Sequence, residues 1–550
     1  MIIKYDNISK KIIVLLFVIF FLIGSITFKD YGISIDEEFH RSVGFYWLNH
    51  LLSFTPFEEL NNSVNVKLEQ IKGFTLPEAK TNSFYGVIFD LPIAFFEVIF
   101  KIKDPQKYFY LRHLLTFILF FISSIFFYKL LLNRFANYYV SLIGTLFFVL
   151  SPRIYGSSFF NNKDVVFLSL VTIALFYCFK ALEKINYKNL LIFSFFAALC
   201  TSSRIVGIFL PISFIVFFFL ALLSDKKNTT NLRYIIFFAI AYYFFLIIFW
   251  PFLWESPLEN LALSFKYFSY MKGWNVKVFF NGEFIHSNFM QYNYILIWIL
   301  ITTPILYTIF FLIGYFQIFK RFFIKFINIK TNVPYYDLWR GTKEKKDLFV
   351  FFNITAIILY WITLNKLNYN GWRHLYFLNI FFIYIATYAF YQINIFLKSR
   401  IKKRALLGLV SFFFILVTYK MIAYHPYQNL YFNTFFSKSP HEKYEVDYWG
   451  LSGKKFLEDI LILEKDKKPI KIGVASFLPL ERSIKLLDKE DRKKIKIVGQ
   501  EYQNADYLYS NFMSEVDKSS NDKYKIPNNF SKIDELIVND TIVYQVFKKK

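Results

Sequence analysis

Cysteine is nearly absent: two residues in 550, Cys178 and Cys200, both inside apolar runs. Two such thiols make neither a disulfide framework nor a metal site. Charge is scarce too, at 19% of residues against about 25% in globular chains. No internal repeat, low-complexity stretch or Gly-rich nucleotide loop occurs, so the sequence gives no basis for a nucleotide site. What is abundant is apolar: 56% of residues are hydrophobic and 22% aromatic, with 74 Phe and 40 Tyr. Disorder requires low hydrophobicity and is excluded for most of the chain. The apolar residues come in blocks of membrane-spanning length, about 20 residues, which excludes an ordinary soluble enzyme. The formal net charge of +24, from 64 Lys plus Arg against 40 Asp plus Glu, points to nucleic acid only if the cations are not placed by a membrane.

The pattern predicts an α-helical polytopic membrane protein with about eleven spans: 11–28, 110–131, 136–151, 165–183, 188–203, 205–223, 233–253, 292–319, 348–364, 375–397 and 405–423. The first, flanked by Lys10 and Lys11, reads as an uncleaved signal anchor. The pair 188–203 and 205–223 meets at Arg204 in a tight, re-entrant corner. Segment 83–101 is apolar enough to span, yet Ser83, Asp90 and Glu97 recur every seven residues as a polar seam. If it does not span, Lys4, Lys10, Lys11, Lys129, Arg134, Lys226, Lys227, Arg233, the basic loop 320–347 (Lys325 and Lys330 among its cations) and the run 398–404 all fall inside, as the positive-inside rule asks. It is therefore expected as a juxtamembrane helix at the outer interface. The inner cations then report topology and attraction to lipid, and no nucleic-acid partner is expected. The N-terminus falls inside and the C-terminus outside. Residues 1–423 form the transmembrane domain, with 29–109 as a long first outer loop. Residues 424–550 form a small extracytoplasmic α/β domain, with strands in PIKIGVAS, KIKIVG, ADYLYS and ELIVN and helices over 453–465 and 478–488.

With this topology the informative charges converge at the outer ends of the spans, where ionisable groups are expensive and mark a pathway or reaction site. YGISIDEEFHRSVG, residues 31–44, places Asp36 and Glu37 at a span exit. This is either a general base with a supporting acid or an acidic helix start after Ser34. SPRIYGSSFFNNKD, residues 151–164, is a polar stretch between spans. Arg153 and Lys163 there suit a phosphate, with Asp164 on a sugar or metal; snorkelling in an interfacial loop is the plainer reading. Arg204 must find an anion in space, Asp164 or Glu97 if it is structural. YNGWRHLYF, residues 369–377, carries Arg373 and His374 among interface aromatics. The aromatic-rich loop 254–291 reads equally as a segment that contacts a lipid or sugar or as an amphipathic interfacial cover.

In this order the motifs resemble the GT-C class of membrane glycosyltransferases, and more closely glycosyltransferase family 39, the dolichyl-phosphate-mannose:protein mannosyltransferase group and its bacterial relatives. Asp36-Glu37 is similar to the family's first-loop acidic motif, and SPRIYGSSFFNNKD to the second-loop segment ending in Lys-Asp. TSSRIVGIFLP, WPFLWESPLENL, ITTP (301–304), YNGWRHLYF, YQNLYFN and DYWGLSGKKFLEDIL look like further stations, so the likeness touches most of residues 30–465. The Lys-Pro-Pro motif of the lipid A aminoarabinose transferase relatives has no counterpart in 79–97.

The resemblance implies a bacterial inner-membrane enzyme with a polyprenyl-phosphate sugar as donor. It implies transfer on the outer face, with inversion, to a hydroxyl of a protein, lipid or glycan acceptor. It also implies Asp36 as general base, with Asp164 and the nearby cations lining the donor headgroup site. The residues agree with this chemistry. A lipid monophosphate sugar is already activated, a carboxylate suits the base, and Arg153, Lys163, Arg204, Arg373 and His374 suit the departing phosphate. No cofactor is required, although a divalent cation on Asp36, Glu37 and Asp164 is compatible with oxygen ligation. A transporter or flippase of lipid-linked saccharides is the alternative. It calls for polar residues along the middle of the spans, which here are nearly pure Phe, Ile and Leu.

Overall fold

The computed structural model describes residues 3–71, 84, 86–224, 231–269, 276–327, 338–363, 369–433, 439–464, 469–511, 513 and 522–550. Ser83, Lys226, Lys227 and Lys330, and the side chains of Lys4 and Lys325, lie outside the described residues. The protein is mostly helical and polytopic. Among the described residues nine helices are long and apolar enough to cross a membrane, or ten if one bent pair is counted.

The expected eleven spans change for local reasons. Segment 136–151 is the helix Tyr138–Val149, followed across Pro152 by the helix Pro152–Phe160 at an angle of 62°. Proline is favoured at a first helical position and cannot continue the preceding ladder. The stretch after residue 151, expected as a loop, is therefore a helix, buried along its whole length. Segment 188–203 is a helix of 17 residues, Tyr187–Ser203, near the short limit for a span. Arg204 then turns extended, and a single tight turn, Ile205–Ile208, leads into Phe209–Ser224. This corner needs Gly207, whose Cβ would lie 2.7 Å from the Cys200 carbonyl carbon. Segment 292–319 is broken before Pro304 into Tyr294–Thr302 and Ile305–Ile327. The helix in 83–101 runs Asp90–Ile99, ten residues, about 15 Å at the helical rise and half a bilayer core.

Several spans start at an asparagine whose side chain accepts a backbone N–H: Asn137 from Val140, Asn186 from Asn189 and Asn231 from Arg233. These caps satisfy donors that a helix end otherwise leaves open. Asp164–Glu183 and Arg373–Phe396 are central, with 83% of each apolar stretch buried; Lys10–Thr27, at 11%, is peripheral. The peripheral helices turn Leu15, Ile26, Ile240, Phe412 and Ile415 outward, as a helix facing lipid tails does.

The cations at the end of the bundle remote from the C-terminal domain are more than a topology signal. Arg134 forks onto Asp347 with two bonds of 2.6 Å, and the Tyr384 hydroxyl donates to the same carboxylate at 2.8 Å. Lys346 pairs with Glu183 at 2.5 Å. Arg134 lies 213 residues from Asp347 and Lys346 lies 163 from Glu183, separations that a linear reading of the basic loops does not bridge.

Within loop 254–291 lie the helix Pro257–Ser269 and a hairpin of β1 (Lys277–Phe280) and β2 (Glu283–His286), turned at Asn281-Gly282 with positive φ at both. The C-terminal domain has a five-stranded mixed sheet of β3 (Ile470–Val474), β4 (Ile495–Gly499), β5 (Tyr507–Asn511), β6 (Phe530–Val538) and β7 (Thr541–Lys549), in the order β4-β3-β5-β7-β6. β3 to β5 are the first three expected strands, and β6 begins five residues before ELIVN. The helix expected over 453–465 is Gly453–Leu463, whereas 478–488 holds only the four-residue turn of helix Glu481–Ile484. One apolar core joins this domain to the spans: Phe117, Phe159 and Phe160 pack in the same cluster as Trp449, Phe456, Ile472 and Tyr509.

Candidate active site

Where the first helix ends, Ile35 and Asp36 lead into the helix Glu37–Leu52, with Asp36 at the capping position. Its carboxylate makes no cap bond. Instead Oδ2 accepts from Arg373 Nη1 at 2.6 Å. Glu37 turns inward, accepting from the Ser34 N–H at 2.7 Å and facing His113 Nε2 at 3.0 Å. The adjacent acids thus sit in different surroundings: the Asp36 side chain is 34% exposed, while Glu37 is buried.

The turn Asn161–Lys163 brings a second group of charges to this place. Asn161 organises Asp164, accepting its N–H at 2.8 Å and donating to its Oδ2 at 3.0 Å. Asp164 pairs with Arg204 at 2.7 Å, the anion that Arg204 required. Asn162 donates to Asp90 at 3.1 Å, and Lys163 Nζ donates to the Gly86 carbonyl at 3.0 Å. Burial lowers the Lys163 ammonium to about 8, opposed by Asp90. Gly86 is fixed by space: a Cβ there would fall 1.1 Å from the Ser202 carbonyl oxygen.

Behind these groups lies a lattice of buried ion pairs. Arg112 pairs with Asp90 and stands 3.9 Å from Glu97, and Arg41 forks onto Glu97 at 2.8 and 3.0 Å. The seam Asp90–Glu97 is therefore the counter-charge for two arginines of neighbouring helices. The buried His40 imidazole is held well below its ordinary value, first by burial and then by the charges of Lys163, Arg112, Arg204 and Arg373.

Two expected residues sit differently. Arg153 opens the helix that ends before Lys163, so on the order of 13 Å of helix separates the two along the chain. Its guanidinium lies 5.1 Å from the Trp298 ring and 4.8 Å from Phe432, with Nη2 at 3.4 Å from the Tyr431 carbonyl. These neighbours differ from the Gly86 carbonyl that Lys163 meets. His374 packs against Tyr369 and Trp361, as an aromatic-belt residue would. Arg373 stacks at 4.7 Å on Trp449. Asp36, Glu37 and Asp164 each face a different partner, and no group of three His, Cys, Asp or Glu able to hold a metal occurs among the described residues. Sequence reasoning missed Arg482 and Lys485, which reach this place from the C-terminal domain and carry no motif of their own; Trp449 lies within DYWGLSGKKFLEDIL but was given no role there.

Three structures of the Archaeoglobus fulgidus oligosaccharyltransferase are similar to this chain. The apo form gives a TM-score of 0.43 at 11% identity, covering 78% of this chain and 62% of that one. The form tethered with an acceptor peptide gives 0.39 at 13%, covering 78% and 61%. The form in complex with an inhibitory peptide and a dolichol-phosphate gives 0.40 at 15%, covering 78% and 61%. The chain thus spans about three fifths of the length of these structures. No curated protein matches it. Asp36 and Arg373 fall outside the stretch that a family model matches, and their place in the site rests on their ion pair. That stretch is residues 95–254, which hold Arg112, Arg153, Lys163, Asp164 and Arg204 and match the model of the dolichyl-phosphate-mannose-protein mannosyltransferase family.

Proposed function

We propose that the chain is an inverting glycosyltransferase of the bacterial inner membrane. It moves a sugar from a polyprenyl-phosphate donor to an acceptor hydroxyl on the outer face. Residues 1–423 would be the transfer domain, with the N-terminus cytoplasmic and residues 424–550 outside. The observation that carries this reading is the convergence of the Asp36–Arg373 and Asp164–Arg204 pairs with Lys163 at one partly open place, most of it within the family-matched segment.

In this reaction the acceptor oxygen bonds to the anomeric carbon from the face opposite the phosphate. The bond from that carbon to phosphate oxygen breaks, and the acceptor proton passes to the Asp36 carboxylate. The phosphate gains a negative charge as it leaves. Arg204, Arg373 and Lys163 therefore hold it more strongly in the transition state than in the ground state, and that difference is what accelerates the step. Glu37, buried on His113, orients the segment and does not exchange the proton.

The test is direct. The purified full chain in lipid nanodiscs, given a polyprenyl-phosphate mannose and a hydroxyl-bearing peptide, should release polyprenyl phosphate and yield a product of opposite anomeric configuration by NMR. Absence of release with mannose and other sugars, or retention of configuration, would overturn the reading.

Donor use should also depend on pH through Lys163. Its ammonium is charged below about 8 and neutral above, so kcat/KM for the donor should fall as pH rises through 8. Lys163→Arg should move this limb upward by more than one pH unit, since guanidinium stays charged. A pH–rate profile of the two enzymes checks this.

A further inference from the structure

The C-terminal domain takes hold of the peptide that carries Asp36. The Ile35 N–H donates to the Trp449 carbonyl at 3.0 Å, and the Ile35 carbonyl accepts from Arg482 Nη1. On the other side of Asp36, buried Glu38 faces Lys485 Nζ, with Arg482 Nε at 3.8 Å. Gly32 is pressed against Leu451, whose carbonyl oxygen would lie 2.2 Å from a Cβ at residue 32. The other half of the ion pair is held as well, since Arg373 stacks on Trp449. Two outlying bonds fix the domain against the 105–135 helix: Arg492 to Asp104 at 2.8 Å, and Gln106 to the Leu486 carbonyl at 2.8 Å.

A carboxylate on a short turn after a span has little to fix it locally. Here both peptide groups of the preceding residue are bonded to one domain, and buried Glu38, two residues beyond Asp36, is paired by that domain. We infer that Arg482 is a positioning residue for the transfer reaction: by bonding the Ile35 carbonyl and facing Glu38 it sets where the Asp36 carboxylate meets Arg373 and the acceptor. This rests on the transferase reading. It makes the C-terminal domain part of the reacting unit and not an appendage that only recognises acceptor. Displacements of about 1 Å in a reacting group cost on the order of 10²-fold in rate.

The experiment uses the full chain in nanodiscs with three variants, Arg482→Gln, Arg482→Lys and Lys485→Gln. Amide hydrogen exchange over residues 33–39 is read beside kcat and donor KM. Arg482→Gln should speed exchange in that segment and lower kcat by about 10- to 100-fold, with donor KM within about threefold of wild type. Arg482→Lys should recover most of kcat, because an ammonium can serve both the Ile35 carbonyl and Glu38. Lys485→Gln, which touches only Glu38 of this segment, should fall between. The proposal is overturned if Arg482→Gln keeps wild-type kcat, or loses kcat without faster exchange at 33–39. It is overturned too if exchange rises throughout the chain with no rescue by lysine, which would mark a folding role. A wild-type chain that transfers nothing refutes the transferase reading separately, since exchange reports the hold on residues 33–39 without turnover.

Discussion

Asp36→Asn is expected to lower transfer by about 10²- to 10⁴-fold, the range for loss of a positioned general base, while the chain still inserts and accumulates. The amide keeps the size of the carboxylate and still offers an oxygen to Arg373, whose bond to Asp36 measures 2.6 Å. It cannot take the acceptor proton. The Asp36 side chain is partly exposed but Arg373 is buried beside it, so losing the charge should cost some thermal stability while the amide oxygen still takes the guanidinium bond. The comparison with Glu37→Gln sharpens the result. Glu37 is buried between the Ser34 N–H and His113, so its variant should lose stability as well as activity. Turnover of a polyprenyl-phosphate sugar, measured beside the thermal midpoint, separates the two roles. Full activity in Asp36→Asn would remove the assigned base.

The second large effect is structural. Arg112→Leu should destabilise the protein by about 3–5 kcal/mol, the cost of breaking a buried ion pair by removing one partner. Arg112 is fully buried, bonded to Asp90 and 3.9 Å from Glu97. Without it Asp90 keeps only the Asn162 amide as a hydrogen-bond donor among its described contacts, and an isolated buried carboxylate is costly. The cost should reverse in part when the acid is neutralised too: Arg112→Leu with Asp90→Asn should be more stable than Arg112→Leu alone. Denaturation of the purified chain in detergent measures both. Equal stability of wild type and Arg112→Leu would contradict the lattice.

The parts of this architecture that were legible in sequence are those governed by local composition. Long apolar runs made spans, and the strands β3 to β5 announced themselves by β-branched residues or, in β5, by tyrosines between turns. Arg204 could be given an acidic partner, Asp164 or Glu97, because an arginine at membrane depth must have one, and the structure pairs it with Asp164. Where local signals compete, the reading slipped. Pro152 converted an apparent loop into a buried helix, and Pro304 broke one apolar run in two. Asp90 and Glu97 were visible as a seam, but their arginines lie on separate helices, Arg41 being 56 residues from Glu97. Arg153 and Lys163, close in sequence and similar in charge, were assigned one phosphate; in the structure they meet different neighbours. Arg482 and Lys485 had no chance of detection, because a cation in a small domain gives no hint of which distant carbonyl it reaches.

The bond between Arg482 and Ile35 closes a loop of 447 residues. A ribosome adding about 5–20 residues per second makes Asp36 roughly 20–90 s before it makes the residue that steadies it. The turn that carries Asp36 is therefore made long before the residues that hold it, and the hold on it is complete only once the C-terminal domain has been added.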